Sequence, residues 1–158
     1  MFRKMRRFKQ EISREECIEV LNSQPRGVLA VLGDDDYPYT VPIDFIYDEQ
    51  TNTICFHGAR EGHKIDAIKK HDKASFCVYD EGYKKEGDWA LNIKSVVVFG
   101  RMKFVTDYDR AMEICRRLCY KFTDDEQYIE GEISKDGPRV QCLELHIEHM
   151  TGKLVNES

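Results

Sequence analysis

No stretch of this chain comes near the roughly 20 apolar residues that a membrane-spanning helix needs, and no such helix is expected. The first residues are charged with no apolar segment behind them, so a secretory signal is not expected either. Cysteine occurs six times but never as Cys-x-x-Cys, which argues against a zinc ribbon or a thioredoxin-type site. Cys115 and Cys119 stand four apart and read as small core residues on one helix face rather than as metal ligands. The expected setting is a reducing cytoplasm. There is no Ser-His-Asp order, no carboxylate pair at informative spacing and no cluster of metal ligands, so no metal site is expected. Strand alternation places His146 and His149 on opposite faces, where they cannot easily share a metal. Acidic residues outnumber basic ones, 29 to 24. A net charge of −5 does not favour nucleic acid as a partner. The exception is a basic arm over residues 1–10, where Arg3, Lys4, Arg6, Arg7 and Lys9 are interleaved with Met5 and Phe8. Such an arm could touch RNA, an anionic membrane or an acidic partner; the expectation is that it packs on a neighbouring subunit or frays.

What is present is enough for one domain. At 158 residues, with 41% hydrophobic and 34% charged residues, the chain can bury roughly 68–70% of its unfolded surface. No repeat, low-complexity tract or linker divides it, so residues 1–158 are read as a single domain. Ser13 with Glu16 three residues later has the form of a capping box, opening a helix to about residue 21. Residues 27–32 read as a strand. Residues 37–47 form a long β-rich segment in which Pro38 and Pro42 cannot donate to a ladder, so it is expected to be bulged or at an edge. Residues 53–57 read as a third strand and residues 74–79 and 90–105 as two more. A helix capped by Thr106 follows, with Ala111, Ile114, Cys115, Leu118 and Phe122 inward. Residues 123–138 read as irregular and acidic, and residues 140–149 as a closing strand. About six strands joined early by short turns demand antiparallel pairing. The fold class is therefore mainly β with flanking helices, a small antiparallel barrel.

One stretch carries more chemistry than the rest. Ile54-Cys55-Phe56-His57-Gly58-Ala59-Arg60-Glu61-Gly62-His63-Lys64-Ile65 reads as a strand, a two-glycine loop with several cationic side chains, and the first turn of a helix. Exposed amides at a helix N-terminus, with nearby cations, make an anion site, phosphate above all. The spacing matches neither the P-loop nor the dinucleotide fingerprint. The same residues also read as a polar connection whose charges are solvated, and the chemistry alone leaves both open. His57 is a candidate to touch a cofactor or substrate, or a strand-end histidine bonded to backbone. Tyr39, Tyr83 and Trp89 are candidates to stack on a flat substrate, against a place in the core.

Three segments in order resemble one family. Tyr39-Thr40-Val41-Pro42-Ile43, Phe56-His57-Gly58-Ala59-Arg60-Glu61-Gly62-His63-Lys64 and Ser95-Val96-Val97-Val98-Phe99-Gly100 are similar to segments of the pyridoxamine 5′-phosphate oxidase-like, FMN-binding split-barrel superfamily, in the branch of the nitroimidazole-resistance (Nim) proteins. The resemblance covers nearly the whole chain. It implies a split β-barrel that holds FMN at a homodimer interface. It implies cofactor contacts from Tyr39, Thr40, Val41, Pro42 and Ile43 beside the ring. Further contacts come from His57, Gly58, Ala59, Gly62, His63 and Lys64 at the phosphate and ribityl chain, and from Lys94, Ser95 and Val96 near the interface. Lys64 takes the place of the family's phosphate-binding lysine. Pyridoxamine phosphate oxidases proper carry an arginine-rich strand and a C-terminal arginine–histidine pair; here Lys94-Ser95-Val96 and Thr151-Gly152-Lys153 stand instead, which argues against that substrate. The implied function is an FMN-dependent oxidoreductase reducing a small aromatic or nitro compound, with His57 as the candidate catalytic residue. The alternative is a flavin- or haem-binding module without turnover.

Overall fold

The computed structural model describes residues 1–156. Ser13 and Glu16 cap the first helix, α1 (Arg14–Ser23), reciprocally. The Ser13 hydroxyl accepts from the Glu16 amide, and the Glu16 carboxylate accepts from the Ser13 amide. Seven strands follow: β1 (Arg26–Leu32), β2 (Pro38–Asp44), β3 (Ile46–Asp48), β4 (Thr53–Gly58), β5 (Lys73–Tyr79), β6 (Asn92–Phe104) and β7 (Gln141–Asn156). Helix α2 (His63–Lys70) lies between β4 and β5; α3 (Tyr108–Tyr120) and α4 (Glu126–Asp136) lie between β6 and β7.

All strand pairs are antiparallel, in the order β2-β1-β5-β6-β7-β4-β3. The sheet curls into a half-barrel around Leu29, Phe45, Ile54, Phe56, Phe76, Val98 and Leu145. A second cluster, including Ile46, Cys55, Ile114, Leu118, Ile129 and Cys142, lies under α3 and α4 on the outer side. The long β6–β7 pair takes a bulge: Phe99 faces His149 while Gly100 faces Ile147, leaving Glu148 as the extra residue. A bulge adds twist. Gly100 is required there, since a Cβ on it would collide with the His146 carbonyl oxygen.

Four details differ from the sequence reading. The 37–47 segment splits in two at Phe45, whose fully buried ring meets Phe76 edge-on at 4.9 Å, so there are seven strands among the described residues. Residues 123–138 hold helix α4, capped by Asp125 and anchored by Ile129 and Ile133 four apart; the surrounding acids masked that pair. Helix α3 is capped by Asp107 rather than Thr106, and Phe122 is exposed just beyond its end. Finally, the extra residue at Glu148 reverses the alternation. His146 pairs with Arg101 and His149 with Phe99, so both histidines share a face. They are engaged separately, His146 with Glu144 at 3.1 Å and His149 stacked on Phe2 at 4.6 Å. The basic arm thus packs on its own sheet through Phe2.

Candidate functional site

Alternation along β4 sends Ile54 and Phe56 into the barrel and Cys55 to the outer cluster. His57 therefore leaves on the outer side, and Gly58 ends the strand opposite Gln141. The chain then turns through 59–62. Gly62, at φ +126°, enters α2 with a backbone conformation that a side chain would strain. It also leaves the helix without a side-chain cap, so the opening amides remain available to an anion.

Lys64 reaches back from the first turn over Gly58. Its Nζ lies 3.1 Å from the point where a Cβ on Gly58 would stand. The side chain is half-buried, and burial pulls its pKa below the ordinary lysine value. Among the described residues no ion pair to Lys64 is formed; Asp34 instead lies 3.7 Å from Lys70 and 3.8 Å from His63. A partly desolvated ammonium without a carboxylate is costly unless a ligand supplies the negative charge.

The other basic side chains of this loop have structural partners. His63 Nε2 accepts from the Asp34 amide at 3.2 Å, and its ring lies 4.2 Å from that of Tyr39. The Arg60 guanidinium donates to the Pro138 carbonyl at 2.8 Å. These contacts pin the loop to the 34–36 turn and to the entry of β7, and among the described residues they leave Lys64 as its unpaired cation. Ala59 is exposed at the tip. His57 is solvent-exposed on one side; crowding beneath it lowers its pKa, Asp44 opposes that shift, and Lys64 adds to it. Its ring borders a cleft of about 120 Å³ lined also by Cys115, Cys119, Ile133 and Val140.

Strand β2 is an edge, paired only with β1. Thr40 and Pro42 are exposed, whereas Tyr39, Val41 and Ile43 lean on the core. Asp44 closes this strand near His57, so the first two expected segments meet in one chain. The third does not join them. Gly58 pairs with Gln141 and Lys94 with Leu154, thirteen positions apart on β7, on the order of 40 Å along the strand. Lys94 is tied to Glu16 at 3.1 Å, a bond that raises its pKa. Ser95 is half-buried. Val96 is the most enclosed of the three. Its side chain is fully buried in the barrel, and its backbone lies between Val78 and Gly152. Of the two places open to Trp89 and Tyr83, the core is excluded, since both are exposed. Sequence reasoning missed Asp34, which anchors His63; the Asp34-Asp35-Asp36 turn was its only signal.

The antiparallel half-barrel with flanking helices is the split-barrel fold. The profile of the pyridoxamine 5′-phosphate oxidase family matches residues 13–154, and the chain belongs to that family. Compared with curated proteins by sequence, it matches none. Several solved structures share the fold. A candidate 5-nitroimidazole antibiotic resistance protein from Bacteroides thetaiotaomicron is 16% identical, with TM-score 0.76 over 92% of this chain and 87% of that one. An FAD-binding protein from Mesorhizobium loti is 21% identical, with TM-score 0.66 over 92% and 97%. An FAD- and haem-binding protein from Mycobacterium smegmatis is 20% identical, with TM-score 0.73 over 95% and 74%.

Proposed function

We propose that this protein is an FMN-dependent oxidoreductase that reduces a small aromatic or nitro compound, with two copies of the chain sharing each cofactor. The observation that carries the reading is Lys64, a half-buried ammonium with no carboxylate partner among the described residues, set beside uncapped helix amides and a glycine that leaves room for a ligand. A flavin, when bound, supplies hydride chemistry at its ring. The residues supply position and charge. Lys64 and the first amides of α2 hold the phosphate. Backbone groups on the free edge of β2, around residues 41–43, meet the polar rim of the ring. His57 sits where it can hold a proton or touch substrate at the end of β4. A second copy of the chain brings its 94–95 segment to the site, which one chain leaves remote.

The test is an absorbance spectrum of the purified protein with and without added FMN. It is followed by reoxidation of the reduced flavin by candidate nitro and aromatic acceptors. Flavin bound and reoxidised by such acceptors supports the reading; no flavin binding defeats it. The likeness to an FAD- and haem-binding protein favours a second reading, a flavin- or haem-holding module. Bound flavin that no acceptor reoxidises faster than buffer alone selects that one.

A further inference from the structure

Behind His57 the fold brings two thiols together. Cys142 is the β7 residue opposite His57 in the β4–β7 ladder. Its Sγ lies 3.7 Å from the Sγ of Cys115 on α3. The Ala111 carbonyl, 3.5 Å from the Cys142 Sγ, is the alternative acceptor for its single S–H and lies on the α3 side. Cys142 is 1% exposed and Cys115 8%, and Cys115 lines the cleft of about 120 Å³ that His57 borders. A water molecule takes about 30 Å³ of liquid volume, so the cleft has room for a small peroxide. A disulfide needs its sulfurs at about 2.05 Å, so closure asks a shift of about 1.7 Å, divided between two side chains. The proposed catalytic reading uses neither thiol.

We propose that Cys115 and Cys142 form an oxidisable dithiol, a modification site that takes hydrogen peroxide. The Cys115 thiolate attacks one peroxide oxygen, the O–O bond breaks, and the departing oxygen leaves as water after taking a proton. Cys115 is then a sulfenic acid. The sulfur of Cys142 loses its proton and attacks the Cys115 sulfur; the S–O bond breaks and the hydroxyl leaves as a second water. Two thiols are oxidised to one disulfide, and one peroxide is reduced to two waters. Cys115 acts first because it faces the cleft. The bond from Cys142 lowers the Cys115 pKa, and the same contact together with burial raises that of Cys142. The product ties α3 to β7, across 27 positions of sequence, directly behind the candidate site.

The experiment treats the purified protein with hydrogen peroxide, blocks the remaining thiols with an alkylating reagent under denaturing conditions, and maps peptides by mass spectrometry. Expected are a fall in blocked thiols from six to four, a loss of two hydrogen atoms from the intact mass, and a Cys115–Cys142 cross-linked peptide pair that a dithiol reductant reverses. In Cys142→Ser, Cys115 should instead gain oxygen. If that variant does not fold, Cys119→Ser should still form the Cys115–Cys142 link. Six blocked thiols after treatment, a link through Cys119, or over-oxidised Cys115 beside a free Cys142 would each overturn the proposal. The readout needs no flavin, so it stands or falls apart from the proposed activity.

Discussion

The ammonium of Lys64 lies over the α-carbon of Gly58, 3.1 Å from where a Cβ there would stand. A strand end and a helix start thereby present one positive charge and several free amides to the same small space. Gly58→Val should push that charge aside and weaken FMN by about tenfold, near 1.4 kcal/mol. Thermal stability should change little, because the nearest obstructing atom is the far end of a flexible side chain. Paired FMN titrations and melting curves decide it. Unchanged affinity means the space over Gly58 is not used.

Gly100→Ala should do the reverse, harming the fold before the site. The added Cβ meets the His146 carbonyl oxygen, which is backbone in the β6–β7 bulge and has no room to yield. We expect a loss of ~2–3 kcal/mol and a melting temperature lower by ~4–12 °C. Calorimetry on the purified variant checks this, and a variant as stable as wild type would mean the bulge relaxes freely.

Acid should act through Asp48, whose carboxylate lies 2.9 Å from both Arg110 and Arg117 and is 3% exposed. Burial works to raise its pKa, but the bond from Arg110 and the charges of both arginines outweigh it, and the net shift is downward. A carboxylate lowered in the folded state adds stability above its unfolded pKa, about 3.9. That stability is lost as pH falls through the folded value. Asp48→Asn should therefore cost ~1–4 kcal/mol at neutral pH and show a shallower loss below about pH 4. Urea unfolding across the acid range measures both, and an unchanged acid slope in the variant would contradict the assignment.

Most of the architecture was legible because local chemistry and tertiary packing agree. The Ser13–Glu16 capping box, the prolines of an edge strand and the two-glycine loop all lie where their residue types require. What escaped reading depended on contacts distant in sequence. Nothing local to Phe45 shows that its ring must enter the barrel and break a strand. The bulge at Glu148, which puts His146 and His149 on one face, follows from Gly100 on another strand. The loop 58–64 was legible as a strand-to-helix connection rich in glycine and basic side chains, but its division of labour was not. Only the fold shows His63 engaged by Asp34 and Arg60 by Pro138, with Lys64 left over among the described residues.

A shared site predicts a dimer. The 94–95 segment lies far from Lys64 within one chain, so full flavin affinity should require two. Light scattering should report a dimer whenever flavin is retained, and dilution that yields monomers should release the flavin. A monomer holding flavin tightly would contradict the shared site.

The most direct test of the account is the titration of FMN and riboflavin into wild type and Lys64→Ala. Riboflavin lacks the phosphate, so it reports everything at the site except the contact in question. Losing one charge-assisted bond costs roughly 1.5–3 kcal/mol, which weakens FMN by about ten- to hundredfold. Riboflavin affinity should stay within about twofold of wild type. Equal weakening of both flavins, or no change in either, would place the phosphate away from Lys64 and contradict the account.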